Sequence, residues 1–101
     1  MSFVEGELYE RTIETPAGRI DVIAEIFLHG KQVELRDIAV YPNGAGRLTV
    51  SPAELLTWAR FALAEIAEQG FEELRVTGTR LSGARPGRRV DLVIRLRREQ
   101  P

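Results

Sequence analysis

The chain has 101 residues, which fits one domain over 1–101, and its 44% hydrophobic and 29% charged residues are typical of a globular protein. It contains no cysteine, which excludes structural disulfides, thiolate zinc sites and thiol nucleophiles. The net charge of −1 conceals a polarity along the chain: residues 1–40 sum to −4, residues 41–75 to −2 and residues 76–101 to +5.

In chain order, Leu8 to Thr15 reads as a strand, followed by a turn at Thr15-Pro16-Ala17-Gly18. Ile20, Val22, Ala24, Ile26 and Leu28 then alternate with Asp21, Ile23, Glu25, Phe27 and His29, the clearest two-residue periodicity in the chain. Gly30 and Lys31 make a tight reversal into a third strand, Gln32 to Tyr41. Within it Val33 and Leu35 share one parity while Ile38 and Val40 share the other, so a β-bulge is expected across Arg36-Asp37. A loop from Pro42 to Gly46 follows.

Ser51 as N-cap, Pro52 at the first helical position and Glu54 completing a capping box predict a helix start. Leu55, Ala59, Ala62, Leu63, Ile66 and Ala67 recur at helical spacing, Trp58 and Phe61 widen the stripe, and Gly70 caps the end. Leu74 to Leu81 is then a strand, Ser82 to Arg88 a loop, and Val90, Leu92, Ile94 and Leu96 mark the inward face of a last strand. The expected fold class is α+β: a five-stranded antiparallel sheet with one amphipathic helix on one face, in the order β-β-β-α-β-β.

No apolar run approaches the roughly 18 residues of a membrane span, and the acidic start MSFVEGELYE is unlike a signal peptide. The expectation is a cytoplasmic protein that does not enter membranes. No motif calls for a cofactor, and no ligand spacing suggests a metal site.

Chemistry has two candidate locations. Successive N–H groups of the Gly/Pro/Arg loop would form an anion site ringed by Arg80, Arg85, Arg88 and Arg89, with Thr79 and Ser82 as hydroxyl donors. His29, the only histidine, shares its strand parity with Glu25, and the two are the candidate acid–base pair. Ile23, Phe27 and Val93 fall on the face assigned to solvent and are candidate interface residues, for a homodimer or a protein partner. Glu34, Arg36, Asp37, Arg75, Asp91 and Arg95 read as cross-strand charge pairs.

The run from Leu74 through Thr77-Gly78-Thr79-Arg80-Leu81-Ser82-Gly83-Ala84-Arg85-Pro86-Gly87-Arg88 to Val90-Asp91-Leu92 resembles the C-terminal segment of bacterial polymorphic-toxin modules. Those modules are grouped with the barnase, EndoU and colicin-type ribonuclease fold. The resemblance implies a sheet that grips RNA through Thr79, Arg80, Ser82 and Arg85, with a histidine or glutamate as base. Against it stand the slightly acidic net charge and the distance of Tyr9 and Tyr41 from the arginines in sequence. Two functions from different classes therefore emerge: an interaction domain working through an open sheet face, and a toxin-like RNA-cleaving domain using the arginine-rich hairpin. Anion or nucleotide binding at the 82–88 loop, without turnover, is a third.

Overall fold

Six elements follow one another in the order expected: β1 (Leu8–Thr15), β2 (Gly18–His29), β3 (Gln32–Asn43), α1 (Pro52–Glu68), β4 (Glu73–Thr79) and β5 (Arg89–Arg95). They are seen in a computed structural model that describes residues 3–44, 46, 50–79 and 89–96. The five strands form one sheet with neighbours in sequence order, β1-β2-β3-β4-β5. Among the described residues no helix is long and apolar enough to cross a membrane.

The sheet is mixed rather than wholly antiparallel, because β3 and β4 run parallel, from Gln32↔Glu73 to Leu35↔Val76. The helix is the reason. Its 17 residues span about 25 Å, enough to carry the chain back along the sheet, so that β4 starts beside the start of β3. Glu72 and Glu73 lock this return by donating their N–H groups to the Lys31 carbonyl at 2.8 and 3.2 Å.

The helix begins as its residues dictate. Ser51 accepts from the Glu54 N–H at 3.3 Å, and the Glu54 carboxylate accepts from the Ser51 N–H at 3.1 Å. Trp58, Ala62 and Ile66 are buried against Tyr9 and Ile13 of β1, Ile20, Val22 and Ile26 of β2, Val33 and Leu35 of β3, and Leu74 and Val76 of β4. Each large apolar side chain buried in this way contributes about 1.5–3 kcal/mol. Phe61, expected to widen the stripe, is instead exposed. It sits roughly 100° around the helix from Ala62, beyond the sheet's reach. Ala67 is exposed as well.

Helix and sheet are also joined by polar contacts. Trp58 Nε1 donates to Tyr9 Oη at 3.2 Å, Tyr9 Oη donates to Glu65 at 2.8 Å, and Arg11 clamps the other Glu65 oxygen at 2.7 and 3.0 Å. Burial, reinforced by the Glu65 acceptor, pushes the Tyr9 phenol well above its usual pKa, so it remains a donor. The helix touches both β1 and β4, so the sheet curls around it and β5 extends past its cover. Leu92, expected to face the core, is accordingly 56% exposed.

The bulge falls where the parity change places it. The β2–β3 register shifts between Ile23↔Ala39 and Glu25↔Arg36, and Asp37 adopts a left-handed φ of 55°. The extra residue lets Leu35 and Ile38 both point into the core despite their opposite parity. Gly78 of β4 crosses this bulge so closely that a Cβ on it would lie 2.6 Å from the Ile38 nitrogen, and its φ is +147°.

Two outcomes follow for stability, both measured by chemical denaturation. Tyr9→Phe leaves the buried Trp58 N–H without its acceptor and should cost about 1–3 kcal/mol. Gly78→Ala meets backbone atoms that cannot yield and should cost more than about 1 kcal/mol, with Thr77→Ala nearly neutral by comparison.

Candidate functional site

One face of the sheet carries the helix; among the described residues nothing covers the other. Strand pairing sets out the open face in rows. Phe27, Glu34, Arg75 and Val93 lie in one row across β2 to β5, and His29, Gln32, Glu73 and Arg95 in the next. A shallow groove of about 630 Å³ runs between β3 and β5 and is lined by His29, Glu34, Arg36, Arg75, Thr77 and Asp91, among others.

Glu34 is its centre. Its carboxylate is only 7% exposed and faces His29 Nε2 at 2.8 Å and Arg36 Nε and Nη2 at 2.9 and 3.3 Å. Arg36 hydrogen bonding, helped by His29, holds the Glu34 carboxyl below the usual carboxylate range despite the opposing effect of desolvation. The Arg36 guanidinium lies 3.7 Å from the centroid of the Phe27 ring, so one side chain neutralises the glutamate and roofs the phenylalanine.

Two further ion pairs lie on this face. Arg75 grips Asp91 with two bonds of 3.2 and 3.1 Å, Arg95 donates to Glu73 at 2.8 Å, and Gln32 donates to the other Glu73 oxygen. Among described strand residues on this face, seven carboxylates (Glu10, Glu14, Asp21, Glu25, Glu34, Glu73, Asp91) stand against five arginines (Arg19, Arg36, Arg75, Arg89, Arg95). Carboxylates outnumber arginines among those positions.

The candidates read from the sequence are brought together only in part. Glu25 and His29 do share the open face, but Phe27 separates them; Glu25 lies opposite Arg36 and is exposed, while the partner of His29 is Glu34. That partner was within reach of sequence reasoning. A two-residue turn at Gly30-Lys31 sets His29 opposite Gln32, which places Glu34 one row away on the same face.

Ile23 and Val93 are exposed at 38% and 52%, with two strands between them, and Phe27 is half-buried beneath Arg36. The three therefore do not form one continuous patch. Leu8 and Tyr41, both exposed on the same face close to Ile23, extend the apolar surface there. Thr79 and Arg89 end β4 and β5 opposite one another. Arg80, Ser82, Arg85 and Arg88 lie outside the described residues. Among the described residues, no cluster of three or more histidine, aspartate and glutamate side chains is placed to hold a metal ion.

Comparison with protein-family models, curated proteins and solved structures finds no significant match to this chain.

The Glu34 cluster has a signature in pH. A carboxyl whose folded-state pKa is lowered stabilises the fold above its unfolded pKa of about 4.3, and that stability disappears as pH falls through the folded value. Thermal unfolding from pH 7 to pH 3 should show the wild type losing stability below about pH 4. Glu34→Gln should be about 1–2 kcal/mol less stable at pH 7 and flatter over the acidic range.

Proposed function

We propose that this domain is a binding module that receives a protein partner on its open sheet face. The observation that carries this reading is an uncovered face that joins exposed apolar side chains to a groove of paired charges. Leu8, Ile23 and Tyr41 offer apolar contact at one end of the face. The groove offers hydrogen-bonding groups already fixed by mutual pairing around Glu34. A partner segment with basic and apolar side chains matches both features, whereas a polyanion meets more carboxylates than guanidiniums.

A second reading, RNA cleavage of the toxin-like kind, is favoured by one observation: His29 and Glu34 are 2.8 Å apart in a groove that also holds Arg36 and Arg75. In that reading His29 moves the proton and Glu34 orients its ring, so that Glu34 takes the place of Glu25 in the candidate acid–base pair. The dispersal of the described arginines into pairs with acids favours partner binding over this alternative.

The two readings separate in one set of assays. Immobilised wild type should retain a partner from host extract. Ile23→Glu on the open face should reduce retention at least tenfold, and Phe61→Glu on the outer helix face should leave it unchanged. Loss in Phe61→Glu with Ile23→Glu unaffected would move the contact to the helix and refute the proposal. Cleavage of labelled tRNA by wild type but not by His29→Ala would select the second reading instead.

A further inference from the structure

β5 forms one edge of the sheet, hydrogen-bonded to β4 alone among the described residues. The other edge, β1, guards itself with Glu10, Arg11, Thr12 and Glu14, the usual protection against another chain. β5 carries Arg89, Asp91 and Arg95 along the open face, yet its adjacent Leu92 and Val93 are 56% and 52% exposed although they point to opposite faces.

The backbone of this edge is ready to pair. Leu96 donates its N–H to the Glu72 carbonyl at 2.9 Å, so the alternation of an antiparallel ladder turns the N–H and C=O groups of Asp91, Val93 and Arg95 outward. We infer that two copies of this chain pair antiparallel along β5, with the two-fold axis at Val93.

That register is self-complementary on both faces. On the open face it sets Val93 against Val93 of the second copy, and Asp91 against the second copy's Arg95 on either side of the axis. Asp91 and Arg95 already bind Arg75 and Glu73 within their own chain, and both retain exposed surface, at 56% and 81% of their side chains. Each intrachain pair thus extends into a four-residue charged row crossing the new seam. On the helix side, Leu92 meets Ile94 and Val90 meets Leu96, covering apolar groups that α1 does not reach. A slip of two residues would set Asp91 against Val93 and lose the charge pairing.

The result is a ten-stranded sheet with both helices on one side and both grooves on the other. The apolar end of the open face, Ile23, Leu8 and Tyr41, lies on strands far from the seam, whereas Asp91 belongs both to the groove and to the seam.

Sedimentation analysis should give the wild type at twice the 11.3 kDa chain mass, and Val93→Lys at the chain mass with unchanged circular dichroism. Asp91→Arg and Arg95→Asp should each weaken self-association at least tenfold. Mixed together they should restore a heterodimer, since each charge at 91 and 95 again meets its opposite across the seam. With no native cysteine in the chain, Val93→Cys should oxidise to a disulfide dimer at least tenfold faster than Ile23→Cys. A monomeric wild type at millimolar concentration, a dimer indifferent to Val93→Lys, or folded charge variants that fail to combine would each overturn the inference.

Discussion

A single helix cannot cover a five-stranded sheet. An α-helix with its side chains is about 10–12 Å across, whereas five strands about 4.8 Å apart span roughly twice that width. The protein resolves the mismatch by curling β1 to β4 around α1, which places Trp58, Ala62 and Ile66 over the inward residues of four strands. The cost of that arrangement is the fifth strand and the whole opposite face. Leu92 is left without cover, and the polar face of the sheet is left accessible.

The two faces handle polar groups in opposite ways. Under the helix, Tyr9, Trp58, Glu65 and Arg11 form a closed chain of donors and acceptors that fixes how α1 lies along β1. No described buried side-chain donor or acceptor lacks a partner. On the open face Glu34 is buried by the arginine that neutralises it and the histidine that contacts it, with Phe27 beneath the guanidinium. A buried carboxylate held this way is rigid, and rigid polar groups give a binding surface its specificity at little entropic cost.

The bulge at Asp37 connects the two faces. It changes the parity of β3 partway along, so Val33 and Leu35 before it and Ile38 and Val40 after it all serve the helix side. Glu34 and Arg36 thereby come to the open face beside Ala39, and the close crossing of Gly78 marks one wall of the groove.

Much of this was legible in the residues alone. Strand alternation, the Ser51–Glu54 capping box and the parity change in β3 are local signals, readable because they depend on neighbours within a few positions. They determined the element order, the helix start and the bulge. The direction of β4 and the exposure of Phe61 and Leu92 were decided only by tertiary structure. Each depends on where the helix returns the chain and which strand then lies alongside, and that outcome is set by packing across the whole sheet.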